Sequence, residues 1–387
     1  MQSMYLALPF ISFYAICAAF GPFLTILLKD LGYSPSVIGI LMAVNSLAGI
    51  AGPFIFGHFA DEHGRYRPPM LIGHAITLLM FFPLAYFTNP LITALVLLTM
   101  SLGFNSILPL TEAITTIGIG PGGNYGKVRT PGSVSYIAVA LILQFTPLLR
   151  PNNRYNIVIW SAALTLLSMI IYARIPSRYT HVSRPRSGSE NQALGAAGKQ
   201  TRIWTPLLIM GLLIIALSRL AMSGALSFFS LYVVHELHWE AIGILNAIAA
   251  TSEIPFMFFS KRIIDRFGAM NCLALGCFGM FIRLVLLVLF PTPVGAVASQ
   301  AMHSLSYGLF HPAALAFISS CVPPHKRALG MSLYLAIGGT LPGLLGNISG
   351  GFIVDHLGYH ALFSSFTVVA FLSTALALFI ALRQRKR

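Results

Sequence analysis

The sequence predicts an all-α membrane protein, with about twelve transmembrane helices in two six-helix, pseudo-symmetric halves. Three observations point there: an apolar composition, a series of hydrophobic runs of spanning length, and a one-sided distribution of basic residues. Of the 387 residues, 56% are hydrophobic and only 9% are charged, and the mean hydropathy is +0.80. A soluble chain carries roughly a quarter charged residues, so this one has too little polar surface to solvate a globule of its size.

Apolar runs of roughly twenty residues cross a hydrocarbon core about 30 Å thick. Such runs fall at 4–28, 36–59, 70–88, 91–116, 129–149, 155–173, 204–233, 241–260, 270–290, 294–321, 329–353 and 361–382. The first has no basic region before it and no small-residue cleavage site after a short core, so it reads as a membrane helix and not as a removable leader. Cys17, Cys272, Cys277 and Cys321 lie in or beside these runs without metal or redox spacing, which predicts thiols and no disulfide framework.

The net charge of +14 would suit a nucleic-acid binder if it lined one face of a domain. Instead the basic residues form short clusters between apolar runs, the pattern of a topology signal. Of the 24 Lys and Arg, only Lys29, Arg150 and Arg154 fall on one side of the spans. Arg219 and Arg283 lie inside spans, and all the others fall on the opposite side. That asymmetry predicts a multi-pass protein of the cell (inner) membrane with both termini cytoplasmic.

The polar stretch from Arg174 to Ile203, rich in Ser, Arg and Gly, reads as a flexible cytoplasmic linker. It divides the chain into a six-helix bundle at 1–173 and another at 204–387. A shift of 204 residues places Ile38, Gly39, Ile40, Leu41, Ala43, Phe54, Asp61 and Gly64 on Ile242, Gly243, Ile244, Leu245, Ala247, Phe258, Asp265 and Gly268. The Asp-x-x-Gly match after a span is the informative part, because it is polar. Parallel repeats of this kind place a binding site at their interface near the midplane.

Ten acidic residues occur in the chain, and Glu112 and Glu253 lie within spans, where an ionised group costs at least a few kcal/mol. Each either glues helices by pairing with a buried arginine or serves the solute and its protons. Alternating access could switch the protonation of such a carboxylate, so Glu253 is the candidate proton carrier and Glu112 a candidate substrate ligand. Arg283 is expected to pair with Glu253. Arg219, mid-span, either attracts an anionic substrate or packs between helices. His303 and His311 stand eight apart on one predicted helix, hence on similar faces. No Cys or carboxylate joins them at ligand spacing, so no metal site and no cofactor are expected. His303 reads as a substrate or proton-relay group, and His311 either shares that role or packs. Prolines and glycines inside spans, at Gly21-Pro22, Gly52-Pro53, Pro109, Pro131-Gly132, Pro255, Pro312 and Pro342-Gly343, mark helices that bend.

The segment Gly57-His-Phe-Ala-Asp61-Glu-His-Gly64-Arg65-Tyr-Arg67 resembles the loop signature between the second and third helices of the major facilitator superfamily. Degenerate copies stand at Asp265-Arg-Phe-Gly268 and Gly351-x-x-x-Asp355-x-x-Gly358. In the readable physics, Gly57 permits close helix approach, Asp61 caps or pairs, Gly64 makes the turn and Arg65 stays at the anionic surface. The stretch from Tyr125 through Arg129 and Gly132 to Tyr136 is similar to the start of helix five in the lactose permease and phenylpropionate permease branch. Ser252-Glu253-Ile-Pro255, Arg283, and His303 with Tyr307-Gly308-Leu-Phe310-His311 resemble its helices eight to ten. The resemblance implies the major facilitator fold and a solute held by Glu112, Arg129 and Tyr136, with Glu253, Arg283 and His303 coupling protons. Where lactose permease carries a proton-loading glutamate one turn after the histidine, this chain has Ser306.

The function implied is proton-coupled symport of a small organic solute, a sugar or an aromatic carboxylate, by alternating access. The alternative within the superfamily is a multidrug or metabolite efflux antiporter, although Pro131-Gly-Ser-Val-Ser-Tyr136 matches the efflux signature of helix five poorly. An enzyme is not expected, since nucleophile motif, metal spacing and extramembrane domain are all missing from the pattern. The partners expected are a small-molecule substrate, protons and membrane lipids, with no nucleic acid, in a monomer.

Overall fold

The computed structural model describes residues 2–119, 125–146, 154–181, 204–323 and 326–385, and nearly all of them are helical. Nine continuous helices long and apolar enough to cross a membrane come first: α1 (Met4–Asp30), α2 (Pro35–His63), α3 (Arg67–Tyr86), α4 (Pro90–Ile119), α5 (Tyr125–Phe145), α6 (Arg154–Ala173), α7 (Pro206–Glu236), α8 (Ile242–Phe267) and α9 (Ala269–Leu289). The span expected at 294–321 is built from Pro293–Ala301, a π-helical turn Ser304–Leu309, and Phe310–Cys321; together these form α10 (293–321). A last helical run is broken at Gly358, where φ is 81°, giving α11 (327–357) and α12 (359–385). Each of the twelve expected spans therefore has its helix. Of the expected linker, residues 182–203 lie outside the described residues, as do residues 147–149 of the fifth expected span.

Two compact units emerge, Met1–Arg184 with Glu240–Ala247, and Pro185–Trp239 with Ile248–Arg387. In the first, α1 lies against α5 and α6, α2 on α4, and α3 between α4 and α6. In the second, α7 packs on the run formed by α11 and α12, and α9 packs on α10 and that same run, which repeats the neighbour pattern. Residues 204 apart also share environments. Ile38 and Ile242 are buried, as are Leu41 and Leu245, whereas Phe54 and Phe258 face outward at 65% and 79% exposure.

Lipid tails are as apolar as leucine, so helices in a bilayer associate through close packing and hydrogen bonds rather than through escape from water. Gly73 on α3 and Gly103 on α4 supply such an approach. A Cβ on Gly73 would lie 2.9 Å from the Gly103 carbonyl oxygen, and one on Gly103 would lie 2.7 Å from that of Gly73. The polar counterpart is His74, fully buried. Its Nδ1–H donates to the Met70 carbonyl at 2.8 Å, and Nε2 meets the Ser168 hydroxyl of α6 at 2.9 Å. Ser168 in turn contacts the Ser12 hydroxyl of α1 at 3.0 Å, so three helices share one network. His74→Ala is expected to lower stability by about 1–3 kcal/mol, read as a lower melting midpoint of the purified protein in detergent.

The loop between α2 and α3 is anchored within the first unit. Gly64 closes α2 with φ 61°, and its counterparts Gly268 and Gly358 have φ 83° and 81°, the left-handed region that only glycine enters cheaply. All three motif glycines have positive φ, but only Gly64 is left-handed helical, with ψ 22° against 149° at Gly268 and 177° at Gly358. The Tyr66 amide donates to the Thr180 carbonyl at 2.9 Å, and the Arg67 guanidinium donates to the Ile175 carbonyl. The Tyr66 hydroxyl donates to Asp61. Burial, with that carboxylate beside it, pushes the Tyr66 phenol up to about 12, so it remains a donor at any working pH. Asp265 pairs instead with Lys261, at 2.9 Å.

One expectation fails here. A Cβ on Gly57 would find nothing within 4 Å, whereas one on Gly52 would lie 2.3 Å from the Leu102 carbonyl oxygen. The close approach to α4 belongs to Gly52, because five residues along an α-helix turn the face by about 140°.

Candidate functional site

In the first unit, α5 begins at Tyr125, four residues before the expected start, so Arg129 stands one turn inside the helix. Glu112, projecting from α4, accepts a hydrogen bond from the Tyr125 hydroxyl at 3.0 Å, and its carboxylate lies 3.7 Å from Arg129 Nε. Arg129 Nη2 donates to the Tyr14 hydroxyl of α1 at 2.8 Å, with the guanidinium 5.8 Å from the centre of that ring. The Arg129 and Glu112 side chains are 31% and 40% exposed, so protein does not seal them. A carboxylate, a guanidinium and two phenols form a dense set of donors and acceptors, of the kind that can share a solute's hydroxyls or acid group. Tyr136 is placed elsewhere. Two turns along α5, its hydroxyl donates to Asn246 Oδ1 at 3.2 Å, at the start of α8 that packs in this unit. Nothing in the sequence singles out Tyr14, in the middle of the first expected span, as a member of the cluster, whereas Tyr125 opens the stretch that resembles helix five.

In the second unit the expected pair of Arg283 with Glu253 is not made. His303 stands between them. Arg283 Nη1 donates to His303 Nδ1 at 2.9 Å, and His303 Nε2 lies 3.5 Å from Glu253 Oε2. Because Nδ1 receives the arginine proton, the ring proton sits on Nε2, aimed at the carboxylate. Arg283 also donates to Gln300 and is 2% exposed. The reason for the substitution of partners is spatial: α9 and α8 both meet α10, and His303 on α10 fills the gap. Gly308 brings α8 close, since a Cβ there would lie 3.1 Å from Glu253 Cγ. Ser306, which stands where the resemblance to lactose permease would place a glutamate, has a buried hydroxyl with no hydrogen-bond partner among the described residues.

From His303 a row of rings runs along α10. His303 and Tyr307 stack at 5.2 Å with planes 8° apart, and Tyr307 and His311 stack at 5.6 Å with planes 4° apart. In a regular α-helix a four-residue step rotates by about 40°, so residues 303, 307 and 311 would drift out of line. The π-helical turn Ser304–Leu309 widens the helix and takes up that drift. His311 Nδ1 accepts from the Tyr334 hydroxyl at 2.6 Å, and Arg219 Nη2 donates to the same hydroxyl at 2.9 Å. The structure thus gathers Glu253, Arg283, His303, His311 and Arg219 into one chain of contacts. Gln300, Tyr334 and the π-helical turn carry no signal in the sequence that would have found them. Phe228, Phe229 and Tyr232 are buried packing residues. Among the described residues no three His, Cys, Asp or Glu side chains group as metal ligands.

The MFS_1 like family matches residues 4–365. The chain is 25% identical over 381 residues to a maltose permease of Geobacillus stearothermophilus, covering 97% of this chain and 93% of that one. It is 21% identical over 380 residues to a probable 3-phenylpropionic acid transporter of Escherichia coli, covering 95% of each. Among solved structures, the nucleoside transporter NupG superposes with a TM-score of 0.78 over 100% of this chain and 99% of that chain. At 18% identity that likeness speaks for the fold alone.

Proposed function

The chain belongs to the MFS_1 like family, and on that premise we propose that it is a secondary active transporter carrying a small organic solute, a sugar or an aromatic carboxylate, in symport with protons by alternating access. The coarser part stands on the comparisons: this is a multi-pass membrane protein of a transporter family whose relatives are named for small solutes, maltose and 3-phenylpropionic acid. The finer part is supported by one observation above the rest. Glu253, a carboxylate inside an apolar helix, is joined through His303 to Arg283.

An approaching cation favours an ionised carboxylate, and its withdrawal favours the protonated one. A shift of α10 relative to α8 or α9 therefore couples proton loading at Glu253 to conformation. In this reading Glu112, Arg129, Tyr136, Arg219, His303 and His311 hold the solute, and Glu253, Arg283 and His303 handle the proton. The loops at Gly57, Asp61, Gly64, Arg65, Asp265, Gly268, Asp355 and Gly358 turn with the helices they join, and both termini lie on the cytoplasmic side.

Reconstituted vesicles test the reading directly. Radiolabelled maltose and 3-phenylpropionate are offered with an imposed pH gradient, acidic outside. At least one solute is expected to accumulate above equilibrium, and a protonophore should abolish the accumulation. Equilibration indifferent to the gradient would make the protein a facilitator, and proton-driven expulsion would make it an antiporter.

A further inference from the structure

We propose that the cleft at Arg219, His311 and Tyr334 in the second unit seats the carboxylate of the transported solute, which makes the substrate a small organic carboxylate and not a neutral sugar. This rests on the transporter reading above. Arg219 lies in the middle of α7, and a guanidinium keeps its charge there. An intramembrane cation is costly and is normally found paired. Arg129 has Glu112, and Arg283 is enclosed by His303 and Gln300. Arg219 has no carboxylate within 4.0 Å among the described residues.

None of the side chains it touches is a carboxylate. Nη2 donates to the Tyr334 hydroxyl and lies 3.3 Å from His311 Nδ1, while Nη1 reaches only the Met222 sulfur at 3.9 Å. The guanidinium also lies 5.1 Å from the Tyr307 ring centre and 5.3 Å from that of Phe310. Of the five N–H groups of an arginine, Nε–H and one on Nη1 have no acceptor among the described residues. Arg219 opens on a cavity of about 270 Å³. Met222, Leu335, Gly338 and Gly339 are among its lining residues, and no acidic residue joins them. The one fixed positive charge of the guanidinium balances one negative charge. A phosphate dianion would leave charge uncompensated, so the shape of the electrostatics selects a carboxylate.

The test uses the purified full chain in detergent, with thermal melting against benzoate, its neutral isostere benzamide, inorganic phosphate and maltose. Benzoate is expected to raise the melting temperature saturably, and benzamide and phosphate are not, because a ligand stabilises only as far as it binds the folded state. Arg219→Met should weaken benzoate about tenfold or more, the scale of a lost charged hydrogen bond. Tyr334→Phe and Arg219→Lys keep a cation in place and should lose less, and they carry the test if Arg219→Met does not fold. Equal stabilisation by benzamide, tighter binding of phosphate, no response to benzoate, or an unchanged Arg219→Met would each overturn the proposal. Vesicle uptake separates this from the transporter reading. Proton-driven accumulation of maltose by wild type and Arg219→Met alike would sink the carboxylate seat alone, whereas absence of proton-driven movement of any solute would sink the transporter reading whatever benzoate does.

Discussion

Glu112→Gln and Arg129→Ala are each expected to cut solute affinity by about 10- to 100-fold, the range set by losing one or two charge-assisted hydrogen bonds, while leaving the protein folded. Folding should survive because both side chains are about a third exposed, and Tyr125 and Tyr14 remain to bond whichever partner is left. Losing the carboxylate leaves Arg129 on the Tyr14 hydroxyl, and losing the guanidinium leaves Glu112 on the Tyr125 hydroxyl. The measurement is equilibrium binding to purified protein of whichever solute stabilises the wild type, alongside a melting curve for each variant. Two folded variants with normal affinity would move the solute away from this cluster and toward Arg219.

Glu253→Gln is expected to separate movement from accumulation. The amide keeps the size of the side chain and can still meet His303, so solute should bind and exchange between the two faces of a vesicle at near wild-type rates. It cannot load and release a proton, so accumulation driven by a pH gradient should fall to the equilibrium level. His303, Arg283 and, through the stacked rings, Tyr307, His311 and Arg219 are the polar groups in continuous contact with that site. Wild-type accumulation by this variant would remove Glu253 from the mechanism. Loss of exchange together with accumulation would assign Glu253 to solute binding.

Much of this molecule was legible in one dimension. The spans follow from hydrophobic runs because a bilayer admits only segments that satisfy their own backbone, and that constraint acts locally along the chain. Ile38 with Ile242 and Phe54 with Phe258 matched as letters and then matched in burial, since side chains at equivalent positions of a repeated helix meet equivalent surroundings. The Asp-x-x-Gly turns were readable for a similar reason: a positive φ is a local demand that glycine meets. Glu112 and Arg129 were brought together by the resemblance to the lactose permease branch, and they do lie side by side.

What the sequence could not decide is which side chain faces which, because that depends on helix rotation and on where a helix departs from 3.6 residues per turn. Arg283 was expected on Glu253, yet α10 inserts His303 between them. Gly57 was expected to admit a neighbour, yet the face α2 turns to α4 carries Gly52. Tyr136, two turns from Arg129, ends on Asn246. The alignment of His303, Tyr307 and His311 needs a π-helical turn that no residue pattern announces, and Glu253 of α8 and Gly279 of α9 both lie against it. Sequence alone determined the class and the spans and singled out the rare charges within them; the assignment of partners, and with it the open guanidinium of Arg219, was settled by tertiary packing, in which each contact depends on the rotation of two helices at once.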